Sequence, residues 1–433
     1  MTTDFLPKFF ETLNLNAVQY TVLRNYKLLP ESTGGSDLDM LVHANCIKIF
    51  DKLLLEFVRE NNLNFVSIID DKQCPKYCIS SKNSGLQIDV FKKSVFFGNK
   101  EIIPSSVLFA NTENYKNIYV LNNKVSVLLA FLKELLNNKN CEQKFIIELQ
   151  NKFNSLSIDK EFLSQFSPHF LSYLNKNLHV LEKRHLLNLH QLSKKSHKKS
   201  KLYNITFKIK RLFKHPGYTI AFIGTDGSGK STLINKITPI LNQAFHNSIF
   251  YEHMRPNKLP SIAKLFGKKE EFNKPVTNPH ASSSSGLLGS LLRWMYYMLD
   301  YTIGFYLKVW PKKAINSCVW VFDRYYYDYL IDPKRGRIKL PRWLLQLGQI
   351  FIPEPDLILC LGTNHESIHK RKPELTLIEV ERQVLELKKF CDSHNRAVWI
   401  DTGKDINSSC YDALDIIINM MSKRFNQKIT PNN

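Results

Sequence analysis

Apolar positions follow two different periods along this chain. Residues 5–15 carry the helical period and predict a short amphipathic helix. Val18–Leu23 alternates as a strand does, and Pro30–Gly35 predicts a loop. Ile47–Val58 returns to the helical period, and strand-like runs follow at Asn64–Ile69, Lys76–Ser80 and Leu86–Phe91. Across residues 124–190 helical patterns dominate. Val125, Leu128, Leu129, Phe131, Leu132 and Leu135 form one apolar face there, predicting a helical cap on the preceding strands. From Tyr218 onward the pattern changes. Apolar runs at Tyr218–Ile223, Ser248–Tyr251, Cys318–Phe322, Pro355–Leu361 and Ala397–Asp401 alternate with helical stretches, the last at Cys410–Met421. That alternation predicts a parallel α/β sheet with helices on both faces. The most membrane-like stretch, Leu291–Trp310, is interrupted by Arg293, Asp300 and Lys308. It predicts a helix buried in the second domain rather than a spanning one, with an interfacial membrane helix as the alternative.

Chemistry concentrates where the first of the later runs ends. Gly224-Thr225-Asp226-Gly227-Ser228-Gly229-Lys230-Ser231-Thr232 fits GxxxxGK[ST] at every fixed position. A strand precedes it, and Leu233, Ile234, Ile237 and Ile240 follow at roughly helical spacing. Glycines let the backbone bring N–H groups close to a polyphosphate, and a helix N-terminus faces the same anion. Lys230 adds a point charge for the outer phosphates, and the Ser231 hydroxyl suits Mg2+. The expected cofactors are therefore ATP and Mg2+. Asp323-Arg324-Tyr325 stands at the end of another run, where the acidic residue would hold Mg2+ through water and the arginine would grip an anionic acceptor. Arg255, in Glu252-His253-Met254-Arg255-Pro256, is a second candidate for the acceptor. Arg371, in the basic helix His369–Lys372, would close over the transferring phosphate. Residues 257–287 read as a polar, loop-like segment.

A second constellation lies near the N-terminus. Asp37 and Asp39 are two residues apart, so a strand puts both on one face, and Asp89 offers a third strand carboxylate. Three converging carboxylates are what a two-Mg2+ phosphoryl or nucleotidyl transfer site needs. His179, His185 and His190 do not make a ligand set by their spacing.

Composition adds charge and compartment. The chain has 433 residues, enough for two or three domains, and 60 Lys plus Arg against 39 Asp plus Glu give a net charge of +21. That balance favours acidic partners: nucleotides, nucleic acid or an anionic membrane face. A basic run, Lys194-Lys195-Ser196-His197-Lys198-Lys199-Ser200-Lys201, continues through Lys208, Lys210, Arg211 and Lys214. It is expected to be a solvated linker, with contact to anionic lipid or nucleic acid as the sharper alternative. Eight scattered cysteines with no CxxC pair predict neither a zinc knuckle nor a disulfide framework, and fit a reducing cytoplasm. No signal peptide or transmembrane segment is expected.

On these residues the region 217–422 resembles the thymidylate kinase-like P-loop kinases. The likeness is carried by Gly224–Thr232, Asp323-Arg324-Tyr325, Pro355-Asp356-Leu357 and the Arg371 segment before Glu374. It is nearest the divergent type that accompanies bacterial surface-polysaccharide genes, through Asp323–Asp328, Asp332-Pro333 and Arg371-Lys372-Pro373-Glu374. The resemblance implies that Asp226 approaches the acceptor and that Arg324, with Tyr325, binds it. Ile223 stands where those kinases carry Glu, and Met254-Arg255-Pro256 lacks the Glu of their second-strand element. Residues 15–95 resemble the nucleotidyltransferase-like superfamily, which implies Asp37, Asp39 and Asp89 as metal ligands and a second nucleotide as a partner. Leu23-Arg24-Asn25 stands where that superfamily places its Gly-Ser turn.

The expected fold is therefore α/β. It has a C-terminal P-loop NTPase sheet with helices on both faces, and an N-terminal α+β nucleotidyltransferase-like domain with a helical cap. The expected boundaries are 1–192, a basic linker at 193–216, 217–425, and a tail at 426–433. Phosphoryl transfer to a nucleoside monophosphate or a related small metabolite is the expected activity, with a homodimer as the expected assembly. A sugar or polyol kinase of surface-glycan precursors and a nucleic-acid- or membrane-binding ATPase are the alternatives, as is a chain in which only one domain is catalytic.

Overall fold

The computed structural model describes residues 5–69, 74–92, 95–97, 100–127, 215–246, 248–260 and 286–426, with a few single positions besides. The helical face beyond residue 129, most of the basic run and the tail lie outside the described residues. The chain divides into two compact units, residues 1–210 with 431–433, and residues 211–430.

The first unit is built on a seven-stranded mixed sheet. Helix α1 (Phe5–Leu15) buries Phe5, Phe9 and Phe10 against Phe50 and Phe57 of α2 (Ile47–Glu60) and Tyr20 of β1 (Tyr20–Val22). Between β1 and β2 (Leu38–Val42) the chain turns through Gly34 and Gly35, both at positive φ, which a side chain would strain. Strands β3 (Asn64–Ile69), β4 (Lys76–Ser80) and β5 (Gly85–Phe91) follow, close to the expected bounds. The ladder β6 (Val95–Phe97) with β7 (Lys100–Ile103), the helix α3 (Ser105–Ala110), and the hairpin β8 (Thr112–Tyr115) with β9 (Ile118–Leu121) were not anticipated from the pattern. These pieces are too short to set up a period. The strand order is β3-β4-β5-β2-β1-β9-β8. It lays β2 parallel to β5, with Asp39 paired to Asp89 in register.

The second unit is a parallel five-stranded sheet with helices on both faces, as expected. Its strands are β10 (Tyr218–Gly224), β11 (Ile249–His253), β12 (Val319–Asp323), β13 (Leu357–Gly362) and β14 (Ala397–Asp401). Their order is β11-β12-β10-β13-β14, which puts the glycine-loop strand β10 at the centre. This is the arrangement of a P-loop NTPase fold, with the loop at the point where the strand order reverses. The sheet's three central strands, β12, β10 and β13, are buried on both faces, so they read as continuous apolar runs rather than alternating ones. One face, with Ala221, Ile223, Trp320, Phe322, Ile358 and Cys360, packs on Tyr301, Phe305, Leu387 and Cys391. Helix α4 (Lys230–Ala244) follows the glycine loop.

The stretch expected as a buried helix is buried on one side only. Helix α5 (Leu287–Leu299) runs on through a π-helical segment, Asp300–Val309, into α6 (Trp310–Ile315). Tyr301, Phe305 and Val309 face the core, while Leu292, Met295, Leu299, Ile303 and Leu307 are exposed. The apolar residues encircle the helix, and only one face meets the sheet. Among the described residues no helix is long and apolar enough to cross a membrane.

Candidate active site

The glycine loop is shaped by close contacts. A Cβ on Gly224 would lie 2.5 Å from Ser228 Oγ and 2.6 Å from the Leu361 carbonyl oxygen. Gly227 and Gly229 adopt φ of +84° and +85°, and Gly229 caps α4. Lys230 is buried at the head of that helix and donates to the Gly224 and Thr225 carbonyls at 2.8 Å each. Burial, and then the nearby Arg324, bring its ammonium down to about 7. The hydroxyls of Thr225 and Ser228 are buried without a hydrogen-bond partner, while Ser231 and Thr232 are exposed at the mouth. Orphaned donors and a cradle too tight for a side chain fit a bound polyphosphate. Gly224→Ala is accordingly expected to displace the loop and weaken ATP-analogue binding about tenfold or more, with a loss of about 1–3 kcal/mol in stability from overpacking. Titration with a fluorescent ATP analogue and a thermal melt check both.

Sheet register brings the acidic strand end alongside. Asp323 is the last residue of β12 and pairs with Phe222 of β10. It is buried, its Oδ2 accepts from the Tyr251 hydroxyl at 2.9 Å, and its Oδ1 has no hydrogen-bond partner. A carboxylate oxygen left free near Lys230 of the loop is chemically suited to a hydrated Mg2+. Arg324 follows with φ +72°, a left-handed conformation that costs a side-chain-bearing residue about 1–3 kcal/mol. Its backbone N–H donates to the Phe222 carbonyl at 2.8 Å, fixing that turn. The buried guanidinium pairs with both Asp226 and Asp328. Asp226 takes a second arginine, Arg335. Burial alone would raise the Asp226 carboxyl, but Arg324, Arg335 and Lys230 hold it well below the usual carboxylate range.

Arg335 was missed in the sequence. The only signal was the neighbouring Asp332-Pro333, whose Asp332 Oδ1 accepts the Arg335 N–H at 3.3 Å.

Three expected site residues fall elsewhere. Tyr325 is fully buried, edge-on to Tyr301 and Phe322, and donates to the Pro353 carbonyl at 2.6 Å. It belongs to the core, because the strand end turns its ring inward. Arg255 pairs with Asp300 at 3.1 Å and lies 4.5 Å over the Tyr297 ring. Asp300, fully buried, also accepts the backbone N–H groups of Asn257, Lys258 and Leu259. Arg255 therefore serves to hold the segment after β11. Arg371, at the end of α7 (His365–Arg371, the helix here that follows β13), donates to the Thr402 carbonyl at 3.0 Å and is exposed, rather than reaching over the loop. The same helix nonetheless crosses the loop, since a Cβ on Gly227 would lie 2.9 Å from the Ile368 carbonyl oxygen.

In the first unit the three expected carboxylates do meet. Asp37, Asp39 and Asp89 are buried, and oxygens from all three lie within 4.8 Å of one another. Arg24 Nη2 reaches both Asp37 oxygens at 3.1 and 3.2 Å, and Arg24 Nε pairs with Asp39. Lys76 pairs with Asp89, whose other oxygen accepts from Gln87 Nε2 at 2.8 Å. Burial would lower the Lys76 ammonium, but Asp89 beside it raises it.

A scan of protein-family models and a search of curated proteins find no match to the chain. Among solved structures it is similar to the thymidylate kinase of Ehrlichia chaffeensis. There the identity is 16% and the TM-score 0.32, over 47% of this chain and 100% of that one. It is also similar to the thymidylate kinase of Candida albicans, at 18% identity and a TM-score of 0.34, over 47% of this chain and 92% of that one. Both likenesses are distant.

Proposed function

We propose that the second unit is an ATP- and Mg2+-dependent kinase of the thymidylate kinase-like class, which transfers the γ-phosphoryl group to a small acceptor. The observation that carries this reading is the meeting of Lys230, Asp323 and Asp226 at one end of β10 and β12. In this reading the loop N–H groups and Lys230 bind the β- and γ-phosphates. Ser231 and Asp323 would hold Mg2+, whose contribution when bound is to neutralise charge on the phosphate oxygens. Asp226, aimed by Arg324 and Arg335, faces the acceptor. A nucleoside monophosphate is the first acceptor class, and the cytoplasm, where ATP is supplied, the expected site of action. The first unit is read as nucleotidyltransferase-like.

One observation favours a second acceptor class. Arg324 and Arg255, the two arginines expected to grip an acceptor phosphate, each already hold carboxylates of this chain. That suits an uncharged hydroxyl acceptor such as a sugar or polyol. The test is ADP release by purified protein with Mg-ATP, against dTMP, other nucleoside monophosphates, sugars and polyols. Stimulation by a nucleoside monophosphate is the expected result. Stimulation by sugars or polyols alone would replace it with the second class. ATP hydrolysis that no acceptor stimulates would count against the kinase reading.

A further inference from the structure

The carboxylate cluster of the first unit is held by cations that the sheet itself puts in place. Arg24 lies two residues past β1, whose Val22 pairs with Met40 of β2, and the Leu23 N–H donates to the Asp39 carbonyl at 2.9 Å. The backbone therefore fixes Arg24 beside the very strand that carries Asp39. Lys76 is fixed in the same way, because it is the register partner of Asp89 across β4 and β5. Arg24 opens the connection from β1 to β2, one residue past that backbone bond, and Lys76 lies within a paired strand.

A divalent ion at this cluster would need oxygens from Asp37 and Asp39 together. Those are the two side chains that the Arg24 guanidinium bridges. A guanidinium is a planar fork of donors, matched to carboxylate oxygens and charged at every accessible pH. A metal must displace it to reach the Asp37 and Asp39 oxygens.

We infer that Arg24 is the resident cation of the Asp37–Asp39–Asp89 cluster, taking the place that a catalytic divalent ion would need, so that with Arg24 seated the first unit does not carry two-metal nucleotidyl transfer. The inference concerns the first unit alone and stands whether or not the second unit is a kinase. Arg24 acts here as a positioning residue. It bridges Asp37 and Asp39 while Lys76 pairs with Asp89, which makes the cluster a structural junction of β1, β2, β4 and β5.

Mn2+ binding to the full chain, followed by the electron paramagnetic resonance of free Mn2+ without nucleotide, tests it. Three variants are compared with the wild type: Arg24→Ala, the bulkier neutral Arg24→Gln, and Arg24→Ala combined with Asp39→Asn. Circular dichroism selects those that fold, and Arg24→Gln serves if Arg24→Ala does not. The expected result is a Mn2+ site in the single variant that binds about tenfold or more tightly than any site in the wild type, a difference of about 1.4 kcal/mol. Adding Asp39→Asn should abolish it. Two results would overturn the inference. One is a wild-type site that depends on Asp39 and is unchanged by removing Arg24. The other is a folded Arg24 variant that gains no Mn2+ site.

Discussion

Lys230→Ala is expected to lower acceptor-stimulated turnover by about 10²- to 10³-fold, the scale for removing one preorganised donor from a site where charge develops. The ammonium is buried at the head of α4 and, without nucleotide, bonds two carbonyls of its own loop. The charged ammonium has a third donor left for a phosphate oxygen, so in the proposed kinase the group that shapes the loop is also the one that meets the γ-phosphate. With its ammonium brought down to about 7, Lys230 is partly neutral in the free protein near neutral pH. A bound polyphosphate favours the charged form. Nucleotide binding should therefore take up more protons at pH 8 than at pH 6, and the alanine variant should lose that difference. Calorimetric titration in two buffers of different ionisation enthalpy reads the uptake directly. A thermal midpoint within a few degrees of the wild type would show that the loss is one of chemistry rather than folding. Full turnover in the variant would remove Lys230 from the site.

How far the sequence led depends on the range of each interaction. The glycine loop was legible because its chemistry is local. Gly224, Gly227, Gly229 and Lys230 act within one turn of chain, and the strand and helix around them carry strong periods. Asp37 and Asp39 were legible from the two-residue period of a strand, and Asp89 from the strand that bears it. Their partners were not. Arg24 reaches Asp37 across 13 residues, and Arg335 reaches Asp226 across 109. Such pairings are set by sheet order and register, which no single stretch of sequence encodes. Tyr325 and Arg255 failed for a related reason. Their neighbours in sequence are site-like, but the strand end turns Tyr325 inward, and the π-helical segment brings Asp300 under Arg255. For the aromatic helix over residues 291–310, composition predicts packing in the second unit but does not say which side meets the sheet.

Asp356 predicts the largest effect on stability. It stands just before β13, at the opposite end of the strands from the glycine loop. Its Oδ2 accepts the Thr219 N–H at 2.7 Å and the Thr219 hydroxyl at 2.9 Å, and pairs with Lys313 at 2.7 Å. Its Oδ1 pairs with Arg424 at 3.2 Å, which ties in the C-terminal helix, Ile406–Asn426. His215 stands at 3.9 Å, beyond hydrogen-bond length. Burial alone would raise the Asp356 carboxyl, but His215, Lys313 and Arg424 hold it well below the usual range. Removing the carboxylate would leave Lys313, almost wholly buried, without its counter-ion. Asp356→Ala is therefore expected to cost about 3–5 kcal/mol, the range for breaking one side of a buried pair. Asp356→Asn, which keeps an acceptor for Thr219, should cost less. The sign with pH follows from the direction of the shift. A carboxyl lowered on folding stabilises fully above its unfolded value of about 3.9, and that stabilisation is lost as pH falls toward the folded value. The gap between wild type and Asp356→Asn should thus be flat from pH 5 to 8 and shrink below pH 4. All five tryptophans, Trp294, Trp310, Trp320, Trp343 and Trp399, lie in the second unit, so urea melts followed by their fluorescence report on this unit. A gap that persists unchanged below pH 4 would mean that the Asp356 network does not govern its stability.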